Sequence, residues 1–241
     1  MLKGKHIEKK TRIAFLFICL GKTFCYLYLF NIEKMKKKFT EKQIHILDVA
    51  EELIAQKGFE GTSVRDISAK ANINVAMISY YFGSKEKMMV NLYQYRVLKT
   101  RETFAEFTQT IKDGKPEMQL KEIINFIVKQ LLKYNYFHGF VTQELRHNDK
   151  VKDTLLEFYQ TCVKVLDNVV QKGIVSGVFK RAAKSEDILS TIIGTVVFTI
   201  RNKNFYELYL KGNEDDYLLN AEKKLKNHLN LCVFALLGYQ I

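Results

Sequence analysis

Only one proline, Pro116, interrupts the 241 residues of this chain, alongside 12 glycines. Proline and glycine end helices and shape tight turns, so their scarcity argues against a turn-rich β-sandwich. No stretch alternates apolar and polar residues with period two for long, whereas apolar residues recur at three- and four-residue spacing. The expected fold class is therefore all-α. At 47% hydrophobic and 27% charged residues, the chain can bury a core and solvate a surface. That balance excludes a disordered tail and a multi-pass membrane protein. The length suits one or two domains.

Local signals place the helix boundaries. Thr40-Glu41-Lys42-Gln43 forms a capping box, in which Thr40 accepts from the Gln43 backbone and Gln43 reaches back. Ile44, Leu47, Ala50 and Ile54 then share a helix face, closed by Lys57 and Gly58, with Phe59 as a core plug. Ser63-Val64-Arg65-Asp66 is a second box, and its short helix aligns Val64, Ile67 and Ala71. Asn72 stands where the chain must turn and tolerates positive φ. Asn74 caps a third helix from Val75 to about Phe82. Ile67, Ala71, Ile73, Ile78 and Phe82 read as core. The short connection between the second and third helices is the helix-turn-helix interval, whose second helix can lie in a DNA major groove.

Gly83 and Ser84 end this unit and cap a fourth helix expected from Lys85 to about Lys112. The run Asp113-Gly114-Lys115-Pro116 is the clearest break. Further helices are expected near 117–135, 138–147, 150–173, 185–211 and 215–238, with breaks at Gly139, Asn148-Asp149, Gly173 to Gly177 and Gly212-Asn213. Ile188, Ile192, Val196 and Thr199, then Leu225, Leu229, Cys232 and Leu236, form apolar faces that suit a core or a dimer seam.

Net charge is +12, which favours a polyanionic partner such as nucleic acid or a membrane surface. The first 34 residues hold seven basic and two acidic side chains, and the rest hold 31 and 24. Residues 13–30 are nearly apolar and follow Lys3, Lys5, Lys9, Lys10 and Arg12, as a membrane anchor would. Lys22 splits that run and no small-residue cleavage site follows. MKKKFTEKQ from Met35 reads as a natural start, so residues 1–34 are expected to be an extension rather than part of a cytoplasmic protein. Lys36, Lys37 and Lys38 read as an arm on phosphates or as a solvated tail. Cys19, Cys25, Cys162 and Cys232 form no C-x-x-C pair, and read as buried or incidental thiols.

The string GFEGTSVRDISAKANINVAMISYYFGSKEKMM at 58–89 resembles the amino-terminal DNA-binding domain of TetR (tetracycline repressor-like) transcriptional regulators. The resemblance covers about fifty residues. Two positions depart from the family pattern: Asn72 replaces the turn glycine, and Ser79 stands where a tyrosine is common in the recognition helix. The resemblance implies a homodimer on double-stranded DNA, with each third helix in a major groove. On the residues themselves, Thr62, Ser63, Tyr80 and Tyr81 offer hydroxyls for phosphates. Lys85 sits in a first helical turn that attracts anions. Arg65 and Asn74 can bond base edges or phosphates. Val75, Ala76 and Met77 can touch thymine methyls, with Ser79 beside them. Met77 and Tyr81 can equally be packing residues. The expected organisation is a helix-turn-helix domain at 35–84 and a larger helical effector-binding and dimerisation domain at 85–241.

Nothing points to an enzyme, a metal or a cofactor. No phosphate-cradling, dinucleotide-binding or zinc-protease string occurs. Glu144 and His147 form a single acid–histidine pair, where a helical di-iron site needs two plus two further glutamates. Phe126, Tyr134, Tyr136, Phe137, Phe140, Phe158, Tyr159 and Phe198 suit an effector pocket, and ordinary core packing accounts for each separately. An unknown apolar or amphipathic small molecule is expected among residues 117–200, with a pocket wall near Phe104 and Phe107. The dimer is expected through the helices near 185–211 and 215–238. A rival reading is a membrane-tethered interaction protein anchored by residues 13–30.

Overall fold

The computed structural model describes residues 39–144, 148–210 and 217–240. The segment 13–30, the lysines 36–38, Cys19, Cys25 and His147 lie outside the described residues, as does the Glu144 side chain. Every regular element among the described residues is a helix: α1 (Glu41–Lys57), α2 (Val64–Lys70), α3 (Val75–Phe82), α4 (Lys85–Thr110), α5 (Pro116–Lys133), α6 (Phe137–Glu144), α7 (Asp149–Val175), α8 (Ser185–Arg201), α9 (Lys203–Glu207) and α10 (Tyr217–Leu236). None is long and apolar enough to cross a membrane.

The caps form as the sequence requires. Thr40 and Gln43 close one reciprocal box, and Ser63 and Asp66 close the other. Such caps satisfy N–H groups that the first helical turn leaves without carbonyl partners. Asn72 adopts φ 52°, the one positive value on a non-glycine among the described residues. The Ile73 N–H then reaches back to Ser68 O at 3.0 Å, which turns the chain sharply enough for α3 to cross α2. His45 of α1 holds this turn by placing Nε2 3.1 Å from Ala71 O.

Two clusters make the core. One gathers α1–α4 around Leu47, Ala50, Ile67, Ile78, Phe82 and Leu92, and extends to Phe137 and Val151. The other fills the space among α4, α5, α7, α8 and α10. The apolar faces of α8 and α10 go mainly to this core: Ile188, Ile192, Val196, Thr199, Leu225 and Leu229 are all buried. Cys232 is half-buried and Leu236 is exposed, so they stand outside that seam. Ile73 is half-buried rather than core, because the turn at Asn72 lifts it to the edge of the cluster.

Three boundaries differ from the sequence expectation. Helix α7 runs through Gly173 to Val175, and the reversal falls at Gly177 with φ 73°. Helix α6 likewise passes through Gly139. The expected helix 185–211 breaks at Asn202. There the Asn202 backbone N–H and its side-chain amide both donate to Phe198 O, at 3.0 and 2.8 Å. Asn202 itself leaves the helical region, with φ −113° and ψ 48°, and the short α9 starts at the next residue.

Candidate DNA interface and interior cavity

The candidate DNA-contacting residues sit on α2, α3 and the first turn of α4. Asn74 caps α3, and its Oδ1 accepts the Ala76 N–H at 2.9 Å. Ile78 and Phe82 lie one turn apart on the buried side of α3. Val75, Ala76, Ser79 and Tyr80 form the opposite, exposed strip. Tyr80 is 78% exposed, unusual for a large aromatic ring with no cover from its own chain. Met77 and Tyr81 are half-buried on the flanks; Tyr81 packs on the amino-terminal core and meets Tyr80 edge-on at 5.1 Å.

The candidates on α2 divide. Arg65 is exposed in the first turn. Ser63 is exposed, but Asp66 Oδ2 accepts both its hydroxyl, at 2.7 Å, and its backbone N–H, at 2.9 Å. The Ser63 hydroxyl and backbone bonds hold the Asp66 carboxyl below the ordinary carboxylate range. A phosphate at this helix end therefore meets a carboxylate already in place. Thr62 departs from the surface role expected of it. It is fully buried, and its hydroxyl donates to Gly58 O at 2.8 Å, tying the α1–α2 loop together.

Lys85 opens α4 with its Nζ 4.1 Å from the Phe59 ring centroid. Phe59 is thus a half-buried platform rather than a core plug. A cation over an aromatic face is steadied without losing its charge, which keeps Lys85 beside the α4 amino terminus. Ser84 caps this helix by accepting the Lys87 N–H at 3.2 Å, and its hydroxyl lowers the Glu86 carboxyl pKa.

An interior cavity of about 130 Å³ lies farther along α4. Six expected aromatics line it: Phe104, Phe126, Tyr134, Phe137, Phe158 and Tyr159. Tyr136, Phe140, Phe107 and Phe198 do not. Tyr136 donates its hydroxyl to Glu51 of α1. Phe140 packs against the amino-terminal core, Phe107 stacks behind Phe126 at 4.6 Å, and Phe198 is exposed. Each therefore serves packing or surface. Sequence reasoning missed the polar lining: Tyr93, Arg96, Gln130, His138 and Cys162. Tyr93 and Arg96 sit in the same i, i+3, i+4, i+7 rows as Val97, Thr100 and Phe104, rows that pattern alone reads as core. Burial raises the Tyr93 and Tyr159 hydroxyl pKa values, pushes the Cys162 thiol up to about 12, and lowers His138. Among the described residues, no group of three or more His, Cys, Asp or Glu side chains could hold a metal ion.

Two family models match in chain order. Residues 46–92 match bacterial regulatory proteins of the tetR family, and residues 116–231 match the tetracyclin repressor-like C-terminal domain. The chain belongs to the TetR family. It is therefore a DNA-binding transcriptional regulator of a non-enzymatic family, binding DNA through its helix-turn-helix. This TetR regulator is 28% identical to the fatty acid metabolism regulator protein of Bacillus subtilis over 190 residues, 74% of this chain and 93% of that one. It is 27% identical over 139 residues to the HTH-type transcriptional repressor NicS of Pseudomonas putida, covering 56% of this chain and 65% of NicS. Its fold is similar to that of FadR from Bacillus subtilis, solved in complex with stearoyl-CoA. There the TM-score is 0.53 at 22% identity, with 77% of this chain and 96% of that chain covered. A TetR transcription regulator from Haloarcula marismortui superposes with a TM-score of 0.60 at 13% identity, covering 80% and 98%.

Proposed function

We propose that this regulator is a ligand-responsive repressor that works in the cytoplasm, binds an inverted-repeat operator as a homodimer, and releases it when an acyl effector enters the interior cavity. The observation that carries this reading is α4. One unbroken 26-residue helix holds Lys85 in its first turn and Tyr93, Arg96, Val97, Thr100 and Phe104 on the cavity wall. At 1.5 Å per residue, Lys85 and Phe104 stand about 28 Å apart on one rigid rod. A ligand that prefers one tilt of that rod shifts the spacing of two DNA-reading heads; one that binds both tilts equally shifts nothing.

An acyl effector fits the cavity's chemistry. The wall is aromatic and aliphatic with a few polar groups, the composition of a small-molecule site. The names of the Bacillus subtilis relatives, a fatty acid metabolism regulator and a structure holding stearoyl-CoA, support the same class. Engineered apolar cavities of about 150 Å³ hold benzene, so about 130 Å³ suits a short acyl segment, and the cavity is partly open, which leaves a way out for the rest of a longer ligand. The DNA reading rests on the exposed strip of α3, with Asn74, Val75, Ala76, Ser79 and Tyr80 reading the groove, flanked by Met77 and Tyr81. Arg65 and Lys85 meet phosphates, with Ser63 sharing its helix end with Asp66. On this reading residues 35–84 are the DNA-binding domain and residues 85–241 carry the effector and dimer functions.

The experiment is genomic footprinting of the tagged protein, followed by titration of acyl ligands into the protein–operator complex. The expected result is an inverted repeat whose affinity falls about 5–150-fold with ligand, the range of typical coupling energies. Acyl ligands that bind the protein and leave operator affinity unaltered would remove the switch.

A further inference from the structure

We propose that Tyr93 and Arg96 read a hydrogen-bond-accepting acyl head in the cavity, and that the head takes Arg96 from Glu51, releasing α1 of the DNA-binding domain. This rests on the reading of the cavity as the effector site, and adds which atoms recognise the ligand and how recognition reaches DNA.

Tyr93 lines the cavity and is almost wholly buried, and its Oη has no hydrogen-bond partner among the described residues. Buried polar atoms without partners are rare in folded proteins and call for an explanation. Burial also raises the pKa of this phenol, so it stays protonated and can donate. Arg96 lies three residues further on the same face of α4. Its Nε is buried and equally unpartnered, and Arg96 also lines the cavity. Two unpartnered donors, one of them cationic, thus belong to neighbouring lining residues of a wall that is otherwise mostly apolar, each within a side-chain rotation of the cavity. Their complement is an acceptor on an apolar chain: the carboxylate of a free acid or the carbonyl of a thioester. An ammonium head would meet the arginine charge, which the one acceptor of the pair, the neutral Tyr93 oxygen, does not offset.

The other edge of Arg96 faces the DNA-binding domain. Its Nη2 pairs with Glu51 of α1 and lies 3.6 Å from Asp48. Glu51 also accepts the hydroxyl of Tyr136, in the turn between α5 and α6. Tyr134, in the same turn, lines the cavity and stacks its ring 5.3 Å from the Arg96 guanidinium. One arginine therefore joins the cavity wall, the α5–α6 turn and the first helix of the DNA-binding domain. The Arg96 and Glu51 side chains are only 17% and 13% exposed, so water screens this pair weakly and either partner is costly to leave alone. A ligand head that satisfies Arg96 offers it a substitute for Glu51. The Arg96–Glu51 pair holds α1 in its DNA-binding position, so by linkage the factor by which the bound head weakens operator binding is the factor by which the operator weakens binding of the head.

The test uses the full chain and its footprinted operator, with octanoate, octanoyl-CoA and octylamine as probes. Calorimetry reads probe affinity for the protein, and fluorescence anisotropy reads operator affinity. Octanoate and octanoyl-CoA separate a free-acid effector from a thioester one, and octylamine is expected not to bind. Tyr93→Phe, which keeps the ring, is expected to weaken the acyl probe about tenfold. Glu51→Gln keeps an acceptor for Tyr136 and removes the competing charge. It is expected to tighten the acyl probe at least fivefold and to weaken probe-free operator binding by a similar factor. Amide exchange across 41–57 is expected to quicken when the probe binds wild-type protein, a readout independent of any variant. If neither acyl probe binds, the reading of the cavity falls and this proposal falls with it. If acyl probes bind and release DNA equally well in wild type, Tyr93→Phe and Glu51→Gln, the cavity reading stands and the Tyr93–Arg96 assignment is overturned. Octylamine binding as tightly as octanoate, or α1 exchange unaltered by a bound probe, also overturns it.

Discussion

Gly173 lies directly under the ring of Phe179: a Cβ built on Gly173 would stand 2.1 Å from Phe179 Cδ2. The two are also joined by the Phe179 N–H donating to Gly173 O at 3.0 Å. The ring in turn packs against Phe234 and Tyr239 near the end of α10. Helix α7 tolerates a glycine in its last turns because the ring occupies the space a side chain would need. Gly173→Ala must push a rigid ring out of a filled core, and overpacking of this kind costs about 1–3 kcal/mol. The urea midpoint of the variant is expected to fall accordingly. Adding Phe179→Leu should recover part of the loss, a non-additive pair by the cycle in urea. Two fully additive losses would mean that the contact is not what Gly173 is for.

That pair also marks the limit of what local sequence carries. Both capping boxes, the Asn72 turn and Pro116 at the start of α5 follow from residues within four positions of one another, and all are present. Gly173 reads as a helix stop because glycine usually is one. Its contact with Phe179 exists only once the chain has reversed at Gly177. The same holds for the site. The exposed strip of α3 is legible from Ile78 and Phe82 facing the other way. Thr62 is not, since its hydroxyl goes to a carbonyl that only the folded α1–α2 loop supplies. Arg96 and Glu51 stand 45 positions apart, on helices whose contact no periodicity encodes.

His138 gives the fold a pH dependence with a definite sign. Burial lowers its pKa below the ordinary value near 6.5, outweighing the contact between its Nε2 and Leu131 O at 3.2 Å. The unfolded chain takes up that proton more readily than the folded one. The native state therefore keeps its full advantage above about pH 6.5 and loses it as pH falls below that, until the native imidazole protonates too. His138→Gln keeps a group able to donate to Leu131 O and removes the titration. Melting temperatures of the two proteins are expected to converge, or to reverse order, as pH falls from 7.5 to 5.5. Parallel curves across that range would remove His138 as the cause.

Lys85 and Asn74 should separate affinity from specificity. Lys85 is held beside the α4 amino terminus by the Phe59 ring, where its charge can act on a phosphate whatever the base sequence. Lys85→Ala is expected to weaken all operators about equally and to reduce the slope of log affinity against log salt by about one. Asn74 caps α3 through Oδ1, which leaves its amide N–H groups for a base edge or a phosphate. Asn74→Ser retains a capping oxygen and loses those donors. It is expected to alter the ranking of operator variants more than the mean affinity. Anisotropy titrations at two or more salt concentrations, against an operator panel, check both. An unaltered slope in Lys85→Ala would take α4 off the phosphates.

Gly194 supplies the sharpest test of the proposed homodimer. It sits in the middle of α8, is exposed, and a Cβ there would meet nothing within 4 Å. A mid-helix glycine costs about 0.5–1 kcal/mol against alanine, and the chain's own packing gives no return for it. Ser190, Thr191 and Gly194 form a small-residue strip on the exposed side of α8, which ends at the exposed ring of Phe198. α10 runs alongside, tied to α8 by the Tyr217 hydroxyl on Thr199 O at 3.1 Å, and carries the exposed Leu219 and Leu231. A second copy laid on the exposed side of α8 would bring a backbone close to Gly194 and cover the Phe198 ring one turn on. Gly194→Leu raises helix propensity and occupies open space in the monomer, so the fold should be as stable or more so. The same leucine would wedge two α8 helices apart. Light scattering is expected to show a monomer, with operator affinity reduced at least a hundredfold because only one half-site is held at a time. A Gly194→Leu protein that remains a dimer and binds the operator at full strength would place the two-fold interface elsewhere.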